Sequence, residues 1–130
     1  MIPSSSPFTV KRRLLSFRYA FSGWAYVLRT QHNAWIHAVA SLAVFAVAWW
    51  LRLPGRDWAV LILTIMAVWM GEFINTAIEA VVDMTMPDPH PLAKIAKDVA
   101  AAAVLVGACG AILIGILILG PPFLARLSLN

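Results

Sequence analysis

Three apolar stretches, separated by turn signals, constrain the fold of this chain more than any other feature. About 20 predominantly apolar residues cross a bilayer as a helix, and proline and glycine in "RLPGRD" and "MPDPHP" mark the breaks between the stretches. We predict spanning helices over residues 34–51, 58–85 and 92–119. The composition agrees, with 62% hydrophobic and 12% charged residues, against roughly 45–50% and about 25% in a soluble domain. The sequence therefore predicts an integral membrane protein.

The segment before the first span has the pattern of an amphipathic helix. After a flexible tail at 1–7, we predict a helix over 8–30 that lies in the headgroup region. One side carries Leu14, Phe17, Phe21, Trp24 and Leu28, and another side carries Lys11, Arg18, Ser22 and Arg29. The predicted fold class is all-α: a single domain, 1–130, with one surface helix and three transmembrane helices. Three spanning helices enclose little interior, so we expect neighbouring subunits to help bury polar groups.

The stretch "GEFINTAIEAVVD" places acidic residues directly after an apolar run. Glu72, Asn75, Glu79 and Asp83 fall within an arc of roughly 80° on one helix face. An ionised carboxylate in hydrocarbon costs roughly 2.5–3.5 kcal/mol even on a lenient scale, so such residues normally face a protein interior, pair, or bind a cation. The following helix brings Lys94, Lys97 and Asp98 to the same rim.

Carboxylates, an amide and lysines at one rim suit a phosphate site that contains Mg²⁺. Two other interpretations stay open on spacing alone: a structural ion-pair network, and an ion or proton transport site. Transport is disfavoured because three spans without an internal repeat offer little for alternating access. The chain also has neither G-x-x-x-x-G-K-[ST] nor G-x-G-x-x-G, so a nucleotide site here would have an unfamiliar construction.

The distribution of basic residues predicts the orientation of the chain. Five basic residues precede the first span and two follow the second, whereas three lie at the opposite ends of the spans. The positive-inside rule then places the N-terminus, the 83–97 segment and the acidic cluster on the cytoplasmic side, where ATP is found. Basic residues interleaved with aromatics, as in "KRRLLSFRYAF", favour anionic lipid headgroups as partners here, and no nucleic acid.

"GEFINTAIEAVVD" followed by "HPLAKIAKDVAAAAVL" resembles the signature of the prokaryotic diacylglycerol kinase family, small membrane lipid kinases that include the undecaprenol kinases. "FRYAFSGWAYVLRTQHNAWIH" is similar to the family's surface helix and first-span entry. The resemblance implies transfer of the γ-phosphoryl of MgATP to the hydroxyl of a membrane lipid, diacylglycerol or undecaprenol. It also implies a homotrimer in a prokaryotic inner membrane, with active sites between subunits on the cytoplasmic side.

The same resemblance implies roles for individual residues. Glu72 becomes the general base, supported by Asn75, and Glu79 becomes a Mg²⁺ ligand. The ATP-binding positions are Arg12, Tyr19, Asp83, His90, Lys97 and Asp98. Gln31 stands where many members carry a second metal-binding glutamate, and an amide oxygen is a weaker Mg²⁺ ligand than a carboxylate. Apart from the resemblance, we expect His32 and His37 to be interfacial hydrogen-bonding residues.

Overall fold

The computed structural model describes residues 10–128, and the side chains of residues 15–128. Within that range the chain forms four helices and no strand: α1 (Val10–Thr30), α2 (His32–Leu51), α3 (Gly55–Thr85) and α4 (Pro91–Leu127). By length and composition, α2, α3 and α4 can each cross a membrane. The predicted all-α membrane fold is therefore confirmed. The predicted tail, 1–7, and the side chain of Arg12 lie outside the described residues.

The turn between α2 and α3 explains why α3 begins before the predicted residue 58. Arg52 ends α2 in the left-handed conformation, with φ 55°, and its N–H donates back to the carbonyls of the last turn. Pro54 then starts α3, since its carbonyl accepts from the N–H groups of Asp57 and Trp58 at 3.0 and 3.2 Å. Asp57 in the first turn also suits the positive end of the helix dipole. The prediction followed the apolar run and so missed this polar first turn.

The last helix is longer than the predicted span, which ends at residue 119. The helix continues through Pro121 and Pro122 to Leu127, although proline inside a helix costs about 3 kcal/mol. Tertiary packing holds this extension against the end of α2. The Phe123 ring lies 6.0 Å from that of Trp50, and the Arg126 guanidinium sits 4.8 Å above the same indole.

Packing centres on α3, which lies against α4 along much of its length and also contacts α2. At Gly71 a Cβ atom would stand 3.9 Å from the backbone of Val104, so α3 and α4 lie close together there, with space for a methyl group. The end of α1 packs on the opposite side of α3. There the Trp24 ring lies 4.7 Å from the rings of both Trp69 and Phe73.

Most of the apolar surface of the spanning helices remains exposed in the single chain. Large residues such as Trp49, Leu105 and Leu117 are well over half exposed. Three of the buried residues, Val27, Ala34 and Trp69, form a cluster where α1, α2 and α3 meet. The exposed faces suit a hydrocarbon surrounding, and the buried cluster lies next to the polar residues of α3.

Candidate functional site

Glu72 is the most deeply buried polar residue among the side chains described. Only 1% of its surface is exposed, and neither carboxylate oxygen has a hydrogen-bond partner. Its nearest ionisable neighbour is His37 on α2, with 3.7 Å between Nε2 and Oε2. Its backbone is ordinary helix, and its carbonyl accepts from the Thr76 hydroxyl at 2.8 Å. A buried carboxylate without hydrogen bonds is costly, and it therefore needs an explanation in function.

Two turns closer to the helix end, Glu79 receives two amide donors. Gln31 Nε2 donates to Oε2 at 2.9 Å, and Asn75 Nδ2 donates to Oε1 at 3.2 Å. Gln31 reaches this position because it is the single non-helical residue between α1 and α2, with φ −104° and ψ 114°. The Oδ1 atom of Asn75 is buried without a partner. The structure thus brings together three of the predicted residues in one carboxylate–amide group.

The predicted nucleotide-binding residues of α3 and α4 form a second, more exposed group. Lys97 Nζ donates to both carboxylate oxygens of Asp83, at 2.9 and 3.2 Å. Lys94 pairs with Asp98 one turn apart on α4. His90 caps α4, because its Nδ1 accepts from the Leu92 N–H at 3.2 Å. All five of these charged or capping side chains line one open pocket of about 630 Å³ beside the α3–α4 loop.

The two groups are linked along α3, because Glu79 lies two turns from Glu72 and one turn from Asp83 on the same helix face. Tyr19 on α1 is 70% exposed, and it does not line the 630 Å³ pocket. Solvent exposure across the site rises from the buried carboxylate of Glu72 to the exposed lysine–aspartate pairs. The arrangement can accept a proton at its buried end and bind phosphate at its exposed end.

An apolar groove between α2, α3 and α4 includes His37, the neighbour of Glu72, although Glu72 itself does not line it. Its volume is about 270 Å³, and His37 and Ser41 form part of its wall together with aliphatic residues such as Val44, Leu61 and Ile112. A groove of this composition fits a hydrocarbon chain better than a polar ligand. It therefore offers an apolar approach to the neighbourhood of Glu72.

Sequence reasoning missed His37 as a member of the site. Its side chain is only 13% exposed and faces Glu72, whereas the sequence suggested an interfacial hydrogen-bonding residue. A signal was present: His37 precedes Ser41 by one helical turn inside an apolar run, so both fall on one face of α2. Whether that face of α2 points toward Glu72 depends on the orientation of α2 about its own axis relative to α3, which the sequence does not give.

The donor set around Glu79 fits Mg²⁺. Among the side chains described, no three His, Cys, Asp or Glu residues gather as a metal cluster. Mg²⁺, however, is usually held by only one or two carboxylates together with water and substrate phosphates. Glu79 supplies one carboxylate. The amides of Gln31 and Asn75 each carry an oxygen atom, and rotation of the amide group by about 180° would turn that oxygen toward the ion. The unpartnered Oδ1 of Asn75 is consistent with such a role.

Fold and site together define a small all-α membrane protein with a carboxylate, amide and lysine site at one end of its helices. The chain belongs to the prokaryotic diacylglycerol kinase family, whose family model matches residues 18–119. This confirms the resemblance seen in "GEFINTAIEAVVD", and it places the chain in a family of bacterial membrane lipid kinases.

Individual relatives carry two different names. A diacylglycerol kinase of Synechocystis sp. is 47% identical over 113 residues, which are 86% of this chain and 65% of that protein. An undecaprenol kinase of Bacillus subtilis is 39% identical over 112 residues, which are 86% of this chain and 91% of that protein. A diacylglycerol kinase of Helicobacter pylori is 36% identical over 109 residues, 78% of this chain and 85% of that protein. The chain thus spans slightly less than two thirds of the first of these relatives.

Proposed function

We propose that this chain transfers the γ-phosphoryl group of ATP to the hydroxyl of a membrane lipid, either diacylglycerol or undecaprenol. The observation that carries the proposal is the Glu72 carboxylate, which is buried without a hydrogen-bond partner near an apolar groove. A carboxylate that only stabilised the fold would be expected to have its lone pairs satisfied. A general base must instead keep a lone pair free for the proton that it takes.

Glu72 acts as the general base in this reaction. Its carboxylate oxygen accepts the proton of the lipid hydroxyl while the hydroxyl oxygen attacks the γ-phosphorus. The lipid tail lies in the apolar groove, so the hydroxyl is delivered from the membrane side. Phosphoryl transfer asks the protein mainly for positioning and charge neutralisation, with little covalent work. Asn75, between the two glutamates on α3, supports the base and orients Glu79.

Glu79 and Gln31 would hold the metal ion, with Asn75 beside them. When bound, Mg²⁺ neutralises charge on the phosphate oxygens of the nucleotide. In the metal-free chain, the two amides restrain the Glu79 carboxylate through hydrogen bonds of 2.9 and 3.2 Å, and turning the Gln31 amide would exchange its hydrogen bond for an oxygen ligand.

The exposed pocket beside the α3–α4 loop binds the nucleotide. Lys97 contributes a point charge for phosphate, and Asp83 holds the ammonium group in place. Asp98 and His90 line the same pocket. Tyr19 would contact the nucleotide from α1, and Arg12, whose side chain lies outside the described part of the chain, keeps the nucleotide-binding role that the family resemblance implies.

We further propose a homotrimer in the inner membrane of a prokaryote, with its active sites on the cytoplasmic side between neighbouring subunits. The distribution of basic residues supports this orientation, because Arg52, Arg56 and Arg126 belong to the end of the helices opposite the acidic cluster. The largely exposed apolar faces of α2 and α4 are available for subunit contacts as well as lipid. Nucleic acid is not among the proposed partners.

The test is transfer of label from [γ-³²P]ATP to lipid by purified protein in vesicles, with diacylglycerol and undecaprenol assayed side by side. We expect Mg²⁺-dependent labelling of one lipid in preference to the other. Glu72→Gln keeps the shape of the side chain and removes the base, so labelling should fall by roughly 10²- to 10⁴-fold while nucleotide binding is retained. No labelled lipid from folded wild-type protein would overturn the proposal.

A second candidate is a non-catalytic or transport-type protein whose acidic cluster is an ion-pair or proton site. The exposed pairs Lys97–Asp83 and Lys94–Asp98 favour it, since they need no substrate to be satisfied. This candidate predicts that folded wild-type protein labels no lipid, and that Glu72→Gln lowers the stability of the protein in mild detergent.

A further inference from the structure

His37 approaches Glu72 from the neighbouring helix and has no other role in the site described so far. The distance between Nε2 and Oε2 is 3.7 Å, and the two side chains are 13% and 1% exposed. The Nε2 atom is buried without a hydrogen-bond partner, as are both oxygens of Glu72. Two unsatisfied buried groups thus face each other just beyond hydrogen-bonding distance.

The turn of α2 that carries His37 is joined to α3 by a short chain of contacts. The Ser41 hydroxyl donates to the His37 carbonyl at 2.6 Å and accepts from the Trp69 indole N–H at 3.2 Å. The Trp69 ring also meets the His37 ring edge-on, with 6.3 Å between centroids. These contacts join α2 to α3 next to Glu72, so the approach of the imidazole is built into the packing of the two helices.

We infer that His37 is the positioning residue of Glu72: its Nε2–H donates to Oε2, which leaves Oε1 to face the lipid hydroxyl. The inference rests on the proposed function, in which Glu72 is the base. Catalytic hydrogen bonds are often long before substrate binds and shorten in the complex, and a separation of 3.7 Å between Nε2 and Oε2 fits that pattern. His37 also lines the apolar groove, so a lipid bound in the groove would place its hydroxyl group beside this residue.

Two substitutions separate positioning from packing. His37→Gln can place an amide N–H near the position of Nε2, so it should retain most of the rate. His37→Leu fills the groove with an apolar side chain but removes the donor, so kcat should fall roughly 10- to 100-fold, as for other supporting partners of active-site groups. The KM for ATP should not change, because the nucleotide pocket lies at Lys97. His32→Leu, an exposed position on the same helix, is the matched control and should match the wild type.

A double variant tests whether His37 acts through Glu72. His37→Leu combined with Glu72→Gln should be no slower than Glu72→Gln alone, because residues that act as a unit are not additive. Equal rates for the Leu and Gln variants at position 37, or additive losses in the double variant, would overturn the inference.

A measurement without turnover keeps this inference separate from the proposed function. In ¹⁵N-histidine spectra, Glu72→Gln should change the ring signals of His37 and leave those of His32 and His90 in place. If wild-type protein labels neither lipid, the proposed function fails, and the spectra still decide whether the two side chains interact. Unchanged His37 signals would show that they do not.

Discussion

Replacing Gln31 with glutamate tests the proposed metal site most directly, because the substitution turns a hydrogen-bond donor to Glu79 into a second carboxylate. Gln31 Nε2 now donates to Glu79 Oε2 at 2.9 Å. Gln31→Glu replaces this donor with a second carboxylate of the same reach. In the absence of a cation the hydrogen bond is lost and two like charges face each other. In the presence of Mg²⁺ the same two carboxylates form a better site for a hard cation.

The expected change in stability follows from the lost hydrogen bond and from the new repulsion between the two carboxylates. A hydrogen bond to a charged group contributes about 1.5–3 kcal/mol, and two unit charges about 4 Å apart interact with about 4 kcal/mol at an effective dielectric constant of about 20. Both side chains are half-buried, so solvent weakens the repulsion. We expect Gln31→Glu to lower the stability of the metal-free protein by about 2 kcal/mol. We also expect the Mg²⁺ concentration for half-maximal rate to fall about tenfold, equivalent to about 1.4 kcal/mol.

The assay combines thermal unfolding in detergent, with EDTA or with rising Mg²⁺, and the dependence of the rate on Mg²⁺. Asn33→Asp is the control, since it adds the same charge at an exposed position close by on α2. If Gln31→Glu behaves like the control in both measurements, Gln31 does not belong to the metal site. If only stability falls, Gln31 restrains Glu79 without contributing to metal binding.

Two further predictions concern α3 and its contacts with α4. Gly71→Ala should be tolerated and raise stability by up to about 1 kcal/mol, because a Cβ would meet Val104 at an ordinary contact distance of 3.9 Å and alanine favours helix. Gly71→Leu should instead lower the Tm, because the larger side chain would separate α3 from α4. Lys97→Met should raise the KM for ATP more than Asp83→Asn does. Neither substitution should change the Tm much, because solvent screens an exposed ion pair and leaves it with little net effect on stability. Equal kinetic effects of these last two variants would mean that Lys97 serves only the ion pair.

Much of the fold could be predicted because a membrane restricts the possibilities. A long apolar run has few alternatives to a spanning helix, so α2, α3 and α4 were found from the sequence. The polar face of α3 was also predictable, since helical periodicity alone aligns Glu72, Asn75 and Glu79. The structure adds the hydrogen bonds between Asn75 and Glu79 and from Gln31, which link this face to the junction of α1 and α2.

The features that the sequence did not reveal depend on how one helix packs against another. His37 meets Glu72 because of the rotation of α2 about its axis, which no local pattern records. The extension of α4 past Pro121 depends on Trp50 in the same way. Local propensity opposes helix at consecutive prolines, and only a tertiary contact reverses that preference.

The division of the site into a buried and an exposed group matches the two substrates that a lipid kinase must bring together. A lipid hydroxyl arrives from hydrocarbon, where a charged base is costly unless the protein shields it, and Glu72 is the shielded carboxylate. ATP arrives from water, and the lysine–aspartate pairs that line its proposed pocket are exposed. Glu79 lies between Glu72 and Asp83 on one face of α3, two turns from the first and one turn from the second. Its carboxylate therefore links the buried part of the proposed site to the exposed part.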